Sequence, residues 1–126
     1  MDADAPEMPA ALFGKEPAHT WCYYYEKAEL ARQVGDWITV TSLGNEARAQ
    51  GFVPGDALEW LPFIEGYVIT GDYQDAREIS ILAYRDDSRP RKGLCYTWNR
   101  IQANGQGWKE VQSLASEMLD KFECAP

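Results

Sequence analysis

Few side chains in this sequence could do covalent or acid–base chemistry: one histidine, His19, and three cysteines, Cys22, Cys95 and Cys124. Nucleophilic catalysis needs a thiol or hydroxyl beside a base, and His19, the sole imidazole, falls at the start of an expected helix. A Cys-x-x-Cys knuckle is absent, and a Cys/His zinc site would consume nearly every available ligand. No metal and no cofactor are therefore expected. Cys22 and Cys95 read as small buried hydrophobes rather than parts of a disulfide framework, which points to a reducing compartment. The carboxylate pairs Asp72 with Asp75 and Glu26 with Glu29 suit helix first turns or solvated faces, where acids complement the dipole. No Gly-rich loop followed by Lys could hold phosphate. The run Tyr23-Tyr24-Tyr25 beside Trp21 suggests an aromatic cage for a cation. Successive helix residues point ~100° apart, however, which sends one ring to the core, one toward a groove and one toward solvent. The expectation is a chain that is not an enzyme.

Charge narrows the partner classes. The 126 residues carry a formal charge of −8, which disfavours nucleic acid and anionic membrane, since both are bound through neutralising Lys and Arg. Hydrophobic residues at 45% and aromatics at 13% exclude a wholly disordered chain and can fill the core of one domain. No apolar run approaches the ~20 residues of a membrane span, so no direct membrane insertion is expected. The acidic start Met1-Asp2-Ala3-Asp4 does not resemble a secretory signal, and a cytoplasmic placement follows as an expectation. Arg85, Arg89, Arg91 and Lys92 flank Asp86 and Asp87 around Pro90, a mixed run that reads as a solvated loop.

The elements that must carry these residues repeat. Three turns pair a glycine with an aromatic: Gly35-Asp36-Trp37, Gly71-Asp72-Tyr73 and Gly107-Trp108. The aromatics at 37, 73 and 108 recur at the spacing of a stacked helical hairpin. Trp21, Tyr24, Ala28 and Ala31 fall at helical spacing after Thr20, whose hydroxyl is expected to cap the first turn. Gly35 ends that helix, and a second runs from about residue 37 to 50 with Val40, Leu43 and Ala47 on one face. Asp56 is expected to cap a helix reaching Thr70 and bearing Trp60, Phe63, Ile64 and Tyr67, with Pro62 tolerated near its start. Ala76, Ile79 and Ala83 stripe the next, over 73–85. The last hairpin presents Leu94, Trp98 and Ile101, then Trp108, Val111, Leu114, Met118 and Phe122. The expected architecture is all-α: six helices in three hairpins over 18–126, preceded by a flexible tail at 1–17.

This pattern resembles the tetratricopeptide repeat. The second unit matches best: Trp60, Phe63 and Tyr67 stand at the Trp, Leu and Tyr sites, and Ala76 and Ala83 at the two Ala sites. Ala28 and Ala47 fill small-residue sites in the first unit. Ile64 departs from the small residue that brings hairpin helices close, Ser80 replaces an aromatic, and Val40 and Val111 replace alanine. The resemblance implies a superhelix whose first helices line a concave groove for a peptide or helix. The groove positions so implied are Tyr25, Glu29, Arg32, Leu61, Glu65, Val68, Tyr96 and Arg100. The carboxylate clamp of co-chaperone members finds Tyr25, Glu29, Pro62, Gly93 and Thr97 at its positions, none of them a cation.

The expected function is thus non-catalytic protein–protein interaction through that groove. The competing expectation is a structural accessory domain whose groove is filled by its own chain, Ala10-Ala11-Leu12-Phe13 being the apolar patch able to fold back. Self-association is a further expectation, because the last helix lacks a polar solvating cap.

Overall fold

The computed structural model describes residues 19–85 and 88–125; the tail at 1–17, Ala10–Phe13 included, lies outside them. Six α-helices follow one another among the described residues: α1 Trp21–Gln33, α2 Trp37–Ala49, α3 Leu61–Ile69, α4 Tyr73–Arg85, α5 Arg91–Asn104 and α6 Lys109–Lys121. No strand occurs among the described residues. The helices pack as three consecutive hairpins, α1 with α2, α3 with α4 and α5 with α6, and α2 also packs on α3. Between hairpins, α3 contacts both α1 and α5, while α4 contacts α6. The first helices therefore form one layer of the array. Among the described residues no helix is long and apolar enough to cross a membrane.

The repeat has a stricter register than its aromatics suggest. Gly35, Gly71 and Gly107 all hold positive φ, at 75°, 86° and 86°, a conformation that costs glycine nothing and other L-residues about 1 kcal/mol or more. In the first two turns the amide after the glycine donates back to the helix, Asp36 N to Ala31 O and Asp72 N to Tyr67 O. Asp36 then caps α2, its carboxylate accepting from Thr39 N at 3.2 Å. Residue 108 occupies the equivalent place in the third turn, and it is tryptophan.

The core follows the expected stripes. Trp21, Tyr24, Ala28, Ala31, Val40, Ala47, Trp60, Phe63, Ile64, Tyr67, Ala76, Ile79 and Ala83 are all buried, as are Leu94, Trp98, Ile101, Val111, Leu114, Met118 and Phe122. Leu43 packs half-buried beside them. Trp108 breaks the stripe assigned to it and stays 64% exposed. Ser80, where an aromatic was expected, is fully buried. Its Oγ accepts from Trp98 Nε1 at 3.0 Å and donates to Ala76 O at 2.8 Å, so an indole from the next hairpin fills that space. Close approach between the first two hairpins falls to Gly66 of α3, where a Cβ would lie 2.9 Å from Val40 Cγ1 of α2.

Three local expectations are corrected. The 56–70 segment is two pieces, a 3-10 turn Ala57–Trp60 and then α3, with Pro62 in the first turn of α3. Proline has no amide to donate and its ring crowds the carbonyl four residues back, so the first turn of an α-helix suits Pro62 while a helical turn before it is disfavoured. Asp56 caps the 3-10 turn, accepting from Leu58 N at 3.0 Å. Thr20 precedes α1 with an extended backbone but makes no side-chain cap bond.

The cysteines differ most. Cys22 is exposed, and Cys95 is bonded to Cys124 with their Cα atoms 5.6 Å apart. The pairing is invisible in spacing because α6 must fold back along α5 before the two meet. Phe122, packed 5.0 Å from the Tyr84 ring, holds the chain end there, and Arg91 Nη1 donates to Glu123 O at 3.0 Å.

Candidate functional site

The layer of first helices gathers polar and aromatic side chains into one strip. On α1, Arg32 forks onto Glu29, with Nε to Oε2 at 3.1 Å and Nη2 to Oε1 at 2.9 Å. This pairing raises the Arg32 pKa, and Glu65 of α3 adds to the same field. Glu65 in turn accepts from Arg100 Nη2 of α5 at 2.6 Å, and the Arg100 guanidinium lies 5.5 Å from the Tyr96 ring centre. Six of the eight expected groove residues thus share a face: Tyr25, Glu29, Arg32, Glu65, Tyr96 and Arg100. Tyr96 is its most open member, at 66%.

The remaining two serve packing as well. Leu61 and Leu58 close over Gly93 of α5, where a Cβ would stand 3.2 Å from Leu61 Cδ1 and 2.6 Å from Leu58 Cδ2. Val68 is buried. It contributes its edge to a cleft of about 240 Å³ between the ends of α3 and α5 and the start of α6. Ile69, Ile101 and Val111 make the cleft apolar, Trp108 walls it, and Glu65 and Asn104 bring polar groups to it. Sequence reasoning missed this cleft. Its signal was the tryptophan at 108, in the register position where the first two hairpins carry aspartate.

The turn holding Trp108 is tied down. Trp108 N donates to Gly105 O at 3.0 Å and its carbonyl accepts from Gln112 N at 2.9 Å. The Gln112 side chain donates to Gln102 O and Gly105 O, at 2.8 and 2.9 Å. The indole is therefore displayed from a braced backbone.

The opposite end of the strip is electrically different. Trp21 Nε1 donates to Glu59 Oε1 at 2.8 Å, setting that carboxylate at the start of the α3 segment. The Tyr25 hydroxyl has its pKa raised, first by partial burial, then by Glu29 and Glu59, with Asp56 adding and Arg32 opposing. Three carboxylates against one guanidinium make this end a negative field beside an aromatic ring.

The tyrosine run separates as geometry requires. Tyr24 is buried, its hydroxyl accepting from Gln50 Nε2 at 2.7 Å. Tyr23 stacks on His19 with ring centres 3.8 Å apart, and Tyr25 joins the strip. No cluster of three or more His, Cys, Asp or Glu residues able to hold a metal occurs among the described residues.

A second set of apolar side chains, Leu30, Val34 and Ile38, lies exposed around the first turn. Comparison with protein-family models, with curated proteins and with solved structures gave no match.

Proposed function

We propose that the chain is a divergent tetratricopeptide-like array that takes up a protein segment, peptide or helix, on the face of α1, α3 and α5, without catalysis. One observation carries this reading. Arg32, paired with Glu29 on α1, shares an electrostatic field with Tyr25 and with Glu65 of α3, and Glu65 bonds Arg100 of α5 and lines the same cleft as Trp108. The strip ends in this apolar cleft with an exposed indole. Tyr, Trp and Arg are the residues most often found as binding hot spots. The other helix layer carries its own ion pairs, Arg48 to Asp75 and Glu78 and Arg77 to Glu117, around a cleft of about 290 Å³ that shows no exposed aromatic wall.

The cytoplasmic placement expected from the sequence is opposed by the Cys95–Cys124 bond, since such bonds are rare in a reducing cytosol. Self-association would use the Leu30, Val34 and Ile38 patch, and sedimentation of Val34→Asp beside the parent would reveal it.

Affinity capture with the parent, a Tyr25→Ala/Tyr96→Ala variant and a Gln74→Ala control tests the main reading. A partner held by the parent and the control but lost by the double variant is expected. Retention by all three would refute the face assignment. In the competing accessory-domain reading, deleting residues 1–17 lowers the melting temperature strongly; an unchanged melting temperature is expected here.

A further inference from the structure

Taking the peptide-binding reading as its basis, we infer that the strip selects a cationic, amphipathic segment: a Lys or Arg set at the Tyr25–Glu59 end and one large apolar side chain set in the Trp108 cleft. The first ground is Trp108 itself. A helix N-cap favours Ser, Thr, Asp or Asn, and Asp36 performs that role in the first hairpin. Trp108 has the extended backbone of a cap residue but provides no side-chain cap bond, and its ring stands 64% exposed. Both local stability and solubility are given up at one position, which is where functional residues break sequence rules.

Size identifies what enters. A cavity of ~150 Å³ accepts benzene, while small-molecule sites begin near ~300 Å³. At about 240 Å³, the cleft suits one large aliphatic or aromatic side chain.

Charge identifies the other end. Glu29, Glu59 and Asp56 act on Tyr25 against Arg32, Glu29 is taken up by its fork with Arg32, Glu59 stands beside Trp21, and the chain as a whole carries −8. Glu59 keeps acceptor capacity beyond its bond to Trp21, and a cation over the Tyr25 ring would gain a quadrupole attraction. At the middle of the strip Glu65 and Arg100 neutralise each other, so charge preference belongs to the Tyr25 end.

The separation gives a register. Glu59 and Ile69 bracket α3, ten residues or ~15 Å along a helix axis. An extended peptide covers that distance in about four or five residues, so the two determinants should recur at that spacing.

The test is a positional-scanning library of synthetic octapeptides, read by fluorescence polarisation and by amide shift changes in the labelled protein. Parent, Glu59→Gln and Trp108→Ser are compared. Glu59→Gln keeps the acceptor for Trp21 and removes the charge. Trp108→Ser supplies the missing cap, so its melting temperature should hold or rise. Expected are selection of Lys or Arg four or five residues from a large apolar residue, and about three- to tenfold loss of cation preference in Glu59→Gln. Trp108→Ser should bind about thirtyfold more weakly. Peptides that shift α1, α3 and α5 amides without these preferences would overturn the inference and leave the peptide-binding reading standing. Failure of every peptide to bind, or binding confined to α2, α4 and α6, would overturn both.

Discussion

Glu65 and Arg100 meet at 2.6 Å across the seam between α3 and α5, and through them the charged middle of the strip adjoins the apolar cleft. The Glu65 side chain is 14% exposed and that of Arg100 40%, so solvent screens the pair from one side. A double-mutant cycle with Glu65→Gln and Arg100→Gln should return a coupling of about 0.5–1 kcal/mol in urea unfolding. A coupling near zero would mean that the bond does not hold α5 against α3.

Ser80 and Trp98 test the join between hairpins from inside the core. Ser80→Ala leaves the buried indole N–H without an acceptor and should cost about 1–3 kcal/mol. Equilibrium unfolding checks the cost. An unchanged midpoint would show that Trp98 finds another partner.

Alkaline pH acts through Tyr24 and Tyr67, whose pKa values are raised above 10.0, chiefly by burial. The unfolded chain loses these protons first. Stability is therefore fully present below about pH 10 and declines as pH rises from there through the folded-state values. Tyr67→Phe removes one ionisable group as well as the 2.6 Å bond to Asn45. It should be less stable at neutral pH but show a shallower decline between pH 10 and 11, measured by urea midpoints. An equally steep decline would assign the alkaline transition to other groups.

Reduction should weaken the last hairpin. The Cys95–Cys124 bond spans a sequence separation of 29, for which the chain-entropy relation gives about 3–4 kcal/mol. Thiol titration of the unfolded protein should find the Cys22 thiol alone before reduction and all three cysteines after it. Finding all three without reductant would show that the bond is absent from the protein in solution.

Residue patterns carried the helices well, because burial every three or four positions leaves a plain mark: Tyr24, Ala28 and Ala31 on α1, and Leu114 and Met118 on α6. Turn chemistry carried Gly35 and Gly71. What failed depended on contacts between distant segments. Cys95 and Cys124 look unrelated until α6 folds back, and Ser80 looks like a defect until Trp98 arrives from the following hairpin. The 3-10 turn before Leu61 has its signal in Pro62, whose missing amide cannot bond to the carbonyl of Leu58. At the site, the polar strip was legible through the repeat positions. The cleft was not, since Ile69, Ile101 and Val111 read as ordinary core residues. Only their position at the end of the helices, beside an indole in a cap position, makes them walls of an opening.

The central claim is that the face of α1, α3 and α5 receives the partner. Its most direct test is amide shift mapping of the labelled protein with the best-binding library octapeptide. The expected result is a continuous set of perturbed amides around Tyr25, Glu65, Arg100 and Trp108, with α2 and the outer side of α4 unchanged. Perturbation concentrated around Arg48, Arg77 and Glu117, with Trp108 unmoved, would contradict it.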